Sequence, residues 1–240
     1  MIIKRTHDKF YLKENRKQET KEYFKFVDKI LKKKYNLKKN KNLEIIDVGC
    51  ATGEFLFFLK NKYPNLNLSG MDIMSDLIDK AKKDVKDVKF HVGDVTNPKK
   101  YLKKKFDIVI FMGVHSIWDD PNDWFPFLLK LCKKKGRLYI FGLFNPNPVD
   151  TFVKIRRSNS LNTKQLEPGW NLISLETYKK YFKSKTINYK FYPWSIKKSL
   201  KKNRSDPLRS YTQKLLDGNY QIISGIQLIH NLYLLEIKRN

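Results

Sequence analysis

The residues Ile45-Ile46-Asp47-Val48-Gly49-Cys50-Ala51-Thr52-Gly53-Glu54-Phe55 decide how the rest of the chain is read. An apolar run with an acid near its end passes into a glycine turn and then into a helix signal. Glycine lets the backbone approach a ligand closely, and the first helical turn offers unpaired N–H groups to polar or anionic atoms. Strand, ligand-binding turn and helix are therefore expected in succession. Nucleotide-binding folds of this kind place an acid about 20 residues further on, where it accepts from ribose hydroxyls. Asp72 stands there, at the end of the next apolar run, and Asp94 ends a third, in His91-Val92-Gly93-Asp94-Val95. A dinucleotide fingerprint would need glycine at position 51 or 54, and a P-loop would need Gly-Lys-Ser/Thr; the chain has neither. If Gly49 and Gly53 only shaped a turn, the two acids would be left without a role.

Outward from this stretch the pattern alternates. Residues 43–48, 66–72, 88–92, 106–113 and 137–144 read as strands. Residues 54–61, 75–85 and 123–132 read as helices between them, with Ser75 as N-cap of the second and Asp119 or Asp120 capping the third. Such alternation means a parallel sheet with helices on both faces, an α/β doubly wound fold. Residues 16–34 form a helix ahead of it, with Tyr23, Phe24, Val27, Ile30 and Leu31 on one face. After Asn145-Pro146-Asn147-Pro148 a helix is expected from Ser174 to Phe182. Strands follow at 187–194 and, singly or as a pair, at 225–237, with a polar excursion over 197–207.

Taken together, these features resemble the class I S-adenosylmethionine-dependent methyltransferases. Asp47-Val48-Gly49-Cys50-Ala51-Thr52-Gly53 is similar to their first motif, with Ala51 where a third glycine is common. Asp72 matches the ribose acid, and Asp94 with Val95 the adenine turn. Residues 106–114 and 136–141 are similar to the fourth- and fifth-strand motifs. The likeness covers roughly residues 40–145. It implies a mostly parallel seven-stranded sheet in one domain: a helical cap at 1–40, a cofactor core at 41–145, an insertion after the fifth strand at 146–186 that covers the acceptor, and C-terminal strands at 187–240. It further implies that S-adenosylmethionine is held by Asp47, Gly49, Cys50, Ala51, Gly53, Asp72, Ile73, Asp94, Val95 and Met112. His7 to Tyr11 and Arg16 would close over it, as in many small-molecule relatives.

A hydroxyl acceptor needs a base near the carboxyl ends of the fourth or fifth strand. His115 is there, and its ordinary pKa near 6.5 suits that role; a histidine bonded to a loop carbonyl, or one that merely lines the pocket, is the alternative. Cys50 reads as a small filler, and no His/Cys cluster has zinc spacing, so no metal is expected. Arg156 and Arg157, followed by Trp170, suggest a site for an acceptor's carboxylate or phosphate, against the plainer reading of a solvated face held down by Trp170.

The 240 residues are 41% hydrophobic and 31% charged, apolar enough to bury a core and not a disordered chain. The longest apolar stretches, such as 108–114, run to about seven residues against roughly 20 for a membrane span. The start, Met1-Ile2-Ile3-Lys4-Arg5, carries no signal-peptide core. Two cysteines, Cys50 and Cys132, fit a reducing, cytoplasmic setting. The net charge of +26 comes from 42 lysines and only eight arginines, with 19 asparagines beside them. That balance fits compositional drift better than a surface built to grip phosphate, which favours arginine's bidentate fork. The expected activity is methyl transfer to a small molecule, such as an acidic sugar or nucleotide-sugar metabolite. The alternative is an RNA or protein methyltransferase using the lysine-rich surface, and a non-enzymatic binding module is a third reading.

Overall fold

In the computed structural model, residues 5–13, 20–96, 104–156, 158, 166–204 and 206–239 are described. A short helix α1 (Phe10–Lys13) and α2 (Glu22–Lys34) precede the sheet. The core then runs β1 (Glu44–Val48), α3 (Glu54–Lys62), β2 (Asn67–Asp72), α4 (Ser75–Asp84), β3 (Lys89–Val92), β4 (Phe106–Met112), α5 (Phe125–Leu131) and β5 (Cys132–Leu143). Beyond it come the two-residue strands β6 (Lys154–Ile155) and β7 (Glu167–Pro168), then α6 (Leu175–Ser184) and β8 (Asn188–Trp194). The chain ends on β9 (Tyr211–Lys214), β10 (Tyr220–Ile223), β11 (Ile229–His230) and β12 (Leu232–Lys238). The main sheet has seven strands in the order β3-β2-β1-β4-β5-β12-β8. Its first five are parallel, and β12 is antiparallel to both β5 and β8. The order reverses between β1 and β4, so a crevice opens beyond their carboxyl ends, where open α/β sheets bind ligands.

Strand side chains alternate between two apolar layers, as the period of two requires. Ile45, Ile108 and Ile110 pack with Phe24, Val27 and Leu31 of α2 and Phe55, Leu56 and Leu59 of α3. Ile46, Val109 and Phe111 face the other way, onto Phe125, Leu128 and Leu131 of α5 and Tyr178 and Phe182 of α6. Burying one such side chain contributes roughly 1.5–3 kcal/mol. Edge strand β8 carries Pro193 opposite Tyr233, a position where the missing N–H faces away from the sheet.

Several boundaries differ from expectation. Met74, not Ser75, stands at the N-cap of α4, and the Ser75 hydroxyl donates to Asp76 instead. Asp120 caps a 3-10 turn, Pro121–Asp123, by accepting from the Asn122 N–H at 2.8 Å; α5 starts only at Phe125. Asp119 accepts from Lys154 and Asn171, both at 2.8 Å, and so ties the post-β5 segment to the loop after β4. Strand β5 begins at Cys132, but an irregularity at its start leaves regular pairing with β4 to Arg137 onward, close to the expected start. Ser174 caps α6 as expected, accepting from the Thr177 N–H at 2.9 Å. Of the 16–34 helix, residues 22–34 are helical, and 14–19 lie outside the described residues. The largest departure is β9–β11, a separate three-stranded antiparallel sheet set into the β8–β12 connection.

The turn after β1 needs left-handed backbone at three places: Gly49 (φ +71°), Ala51 (φ +47°) and Gly53 (φ +76°). Left-handed backbone costs an alanine roughly 1–2 kcal/mol, part of which glycine's greater unfolded-state entropy offsets. Ala51→Gly is therefore expected to be neutral or stabilising by up to about 1 kcal/mol, read from urea unfolding midpoints. A loss of stability would mean that the alanine methyl makes a contact worth more than the strain.

Candidate active site

A cavity of about 700 Å³ occupies the crevice above β1 and β4, toward the upper end of the roughly 300–1,000 Å³ usual for ligand pockets. Its floor is the glycine turn: Asp47, Gly49, Cys50 and Ala51 line it, and Asp72 and Ile73 from the end of β2 stand beside them. Gly53 stands behind the turn as the N-cap of α3, closed in by Phe90 and Val85. Gly49 is held to glycine twice over, since a Cβ there would come within 2.5 Å of Val114 Cγ2.

Asp72 braces the floor. One carboxylate oxygen accepts from the Ala51 N–H at 2.9 Å and the other from the Met74 N–H at 3.0 Å. A carboxylate has about four acceptor positions, so these bonds do not exhaust it and ribose hydroxyls can still donate to it. Burial raises its pKa, and the backbone N–H groups of Met74, Ala51 and Ile73 pull it back down. Asp47, fully enclosed, is pushed well up by burial and then by Asp72, with Lys21 opposing. Lys21 itself pairs with Glu54 at 2.7 Å and gives the turn a cation. The Cys50 thiol is likewise raised by burial, which keeps it inert. Asp94, Val95 and Met112 line the cavity too, and one Asp94 oxygen is taken by the Thr96 N–H and hydroxyl, both at 2.8 Å.

The acceptor side turned out differently. His115 does not reach the cavity. Its side chain is 1% exposed, stacks on Phe144 at 4.7 Å between centroids, lies against Gly142 and bonds through Nε2 to the Leu143 carbonyl at 3.0 Å. Burial drives its pKa down to about 4, with the Leu143 bond resisting. The loop turns Val114 and Ser116 toward the cavity and His115 into the core. Arg156 is exposed and outside the cavity, and Arg157 lies outside the described residues. Trp170 does line the cavity, as do His7, Asp8 and Tyr11 of the segment expected to close over the cofactor, while Arg16 lies outside the described residues. Beside them stand residues the sequence did not single out: Arg5, and Trp194, Lys198, Arg209, Ser210 and His230 from the end of β8 and the excursion that follows. A sequence signal for that excursion existed. Asp217-Gly218, with Gly218 at φ +83°, is a strong hairpin turn pair.

Among the described residues, no helix is long and apolar enough to cross a membrane, and no group of three or more His, Cys, Asp or Glu is placed to hold a metal ion. A doubly wound sheet with a glycine turn after its first strand, acids at the ends of the next two and a deep cavity at the switch point is the architecture in which α/β folds hold nucleoside ligands.

Comparison with known proteins narrows the class. Residues 39–144 match the family described as "Methyltransferase domain". A malonyl-[acyl-carrier protein] O-methyltransferase of Ilyobacter polytropus is 31% identical over 145 residues, 59% of this chain and 53% of that protein, so the chain spans about half the length of such relatives. A tRNA (guanine-N(7)-)-methyltransferase of Prochlorococcus marinus is 27% identical over 200 residues, 79% of this chain and 83% of that one. Among solved structures, the plantazolicin methyltransferase BpumL in complex with SAH shares the fold, with a TM-score of 0.57 at 16% identity over 98% of this chain and 89% of that one. Residues 39–144 thus carry the signature of a methyltransferase domain, and over that span the chain is similar to S-adenosylmethionine-dependent methyltransferases.

Proposed function

We propose that this protein methylates a small molecule carrying an acidic group, bound beneath the cover that the N-terminal segment, Trp170 and the β8–β12 excursion form over the glycine turn. The observation that carries the reading is the continuity of the cavity. One space runs from Asp47, Gly49 and Asp72 to Arg5, Trp170 and His230.

The site fits the cofactor's parts. Asp72 has acceptor positions left for the ribose, the Gly49–Ala51 turn lets backbone come close, and Asp94 and Val95 face where an adenine would lie. Lys21 beside Asp47 offers a cation for the amino-acid end. When bound, S-adenosylmethionine supplies a methyl carbon activated by a positively charged sulfur. That carbon would pass to a lone pair of the acceptor, the electrons of the carbon–sulfur bond returning to sulfur. The chain's own task is alignment and exclusion of water. Trp118, Trp170 and Trp194 wall the space with apolar surface. A carboxylate acceptor attacks as it stands; for a hydroxyl, His7, with Asp206 Oδ1 at 3.4 Å from its Nδ1, is the histidine placed to take the proton.

The test is a mass-shift screen of pooled metabolites with isotopically labelled cofactor. Labelled product from an acidic metabolite pool supports the reading, and label in RNA but in no small molecule overturns it. The likeness to a tRNA methyltransferase and the net charge of +26 favour RNA as the second reading. Binding to tRNA measured by filter retention across a salt series separates the two. A phosphate-gripping enzyme loses affinity steeply, with a log–log slope near −0.7 to −0.9 per phosphate contacted. For this protein a shallow slope and weak retention are expected.

A further inference from the structure

We propose that Arg5 is the anchor for the acceptor's anionic group, a carboxylate or a phosphate. This rests on the methyltransferase reading and names the contact that reading lacks.

The Arg5 side chain is 4% exposed and lines the cavity. Its Nε and Nη2 have no hydrogen-bond partner among the described residues. These two nitrogens form one edge of the guanidinium, the edge that grips a carboxylate or phosphate through two parallel bonds. A buried charged donor left unmatched costs more than a neutral one, so an unmatched pair on one edge calls for an occupant. The nearest carboxylate oxygen, Asp8 Oδ1, stands 3.8 Å from Nε, beyond hydrogen-bond reach. Burial raises the pKa of Asp8, and Arg5 opposes the shift.

The surroundings fix the edge in place. The guanidinium carbon lies 4.2 Å from the centre of the Trp170 ring, which covers one face. His7 meets the same ring edge-on at 4.9 Å. Asp206, 1% exposed, is engaged at one oxygen: its Oδ2 accepts from Arg209 Nε at 3.0 Å, while its Oδ1 lies 3.4 Å from His7 Nδ1 without a hydrogen bond. Asp206 thus has a hydrogen-bonded cation in Arg209, whereas Arg5 has a counter-ion in Asp8 but no acceptor for the hydrogen bonds of its Nε and Nη2.

Two carboxylates are candidates, the acceptor's and the cofactor's own. Position favours the acceptor. Trp170 is followed by Asn171, whose N–H donates to the Ser116 carbonyl at 2.7 Å and whose side-chain amide donates to the Trp118 carbonyl at 3.0 Å. Arg5 therefore sits beside the loop after β4, whereas the cation at the glycine turn is Lys21.

Calorimetry on the full chain tests this with four probes: S-adenosylhomocysteine, methylthioadenosine (which lacks the amino-acid end), and benzoate and phenyl phosphate added to the S-adenosylhomocysteine-loaded protein. Benzyl alcohol is the uncharged control. Wild type is expected to bind benzoate or phenyl phosphate more tightly than benzyl alcohol, and which anion wins distinguishes carboxylate from phosphate. Arg5→Gln should weaken that anion at least tenfold and change S-adenosylhomocysteine binding less than threefold. Arg5→Lys, which keeps the charge and loses the fork, should fall between, and Arg156→Gln should match wild type. Melting curves of the two Arg5 variants report whether each is folded, and Arg5→Lys carries the test if Arg5→Gln is not. The proposal is overturned if the anion binds Arg5→Gln as it binds wild type, or if neither anion outbinds benzyl alcohol. It is also overturned if Arg5→Gln loses S-adenosylhomocysteine but keeps methylthioadenosine, which would give the site to the cofactor's carboxylate. Failure of wild type to bind S-adenosylhomocysteine would instead defeat the methyltransferase reading itself.

Discussion

Replacing Asp72 with alanine is expected to weaken S-adenosylhomocysteine binding by about 2–4 kcal/mol, roughly 30- to 900-fold in Kd. Two effects combine. The ribose loses a charged acceptor in a buried site, and the Ala51 and Met74 N–H groups lose the carboxylate that holds the turn in its binding shape. Asp72→Asn separates them. Its amide keeps one acceptor oxygen but presents N–H where a donor already stands, so it should rescue part of the fold and little of the affinity. Calorimetry beside a thermal melt reads both quantities. Affinity within threefold of wild type in a folded Asp72→Ala protein would remove this residue from the cofactor site.

The second large effect is on stability and falls at His115. Its ring fills a core position between Gly142, Phe144 and Trp124, so His115→Ala should cost about 2–4 kcal/mol, as other large-to-small core changes do. The pH dependence has a definite sign. The folded state holds His115 near pKa 4, while the unfolded chain titrates near 6.5. The unfolded state therefore binds the proton first. The contribution is complete above about pH 6.5 and is lost as pH falls toward 4, with a slope of up to about 1.4 kcal/mol per pH unit. His230, also lowered to about 4 by burial, adds to the same window. Urea unfolding of wild type and His115→Gln at a series of pH values checks this. A smaller pH dependence is expected in the variant, and an equal one would remove His115 as a source. Turnover as a function of pH should keep its shape apart from unfolding, because His115 lies outside the cavity.

The core strands could be read from the sequence because their signal is local. Apolar runs ending in Gly49, Asp72 and Asp94 fix strand ends, and strand ends fix the crevice. His115 shows where that logic stops. Its place just after β4 follows from sequence, but whether it or its neighbours Val114 and Ser116 face the ligand depends on the twist of a short 3-10 turn, His115–Ile117. Arg156 failed similarly, since chain proximity to the carboxyl edge says nothing of which way an exposed residue points. The β9–β11 sheet escaped because Tyr211-Thr212-Gln213-Lys214 is only partly buried and shows no clean alternation. Arg5 gave no sequence signal at all, because its meaning comes from Trp170, more than 150 positions away.

The β8–β12 connection leaves the main sheet at Trp194 and returns at Leu232, and those two residues are direct partners across the strands. However long the chain between them, it starts and ends at a single place. Closing a longer loop costs little, about 0.6 kcal/mol for each doubling of its length. The ladder from Leu232↔Trp194 to Lys238↔Asn188 is complete without it. Residues 195–231 therefore behave as a cassette on a fixed hinge point. Grafting a different segment between Trp194 and Leu232 would change which molecules are admitted above the glycine turn and leave the nucleoside site beneath it intact. On the proposed reading, one part of the acceptor's cover is thus a stretch that can be exchanged apart from the nucleoside site, while Arg5 and Trp170 lie outside it.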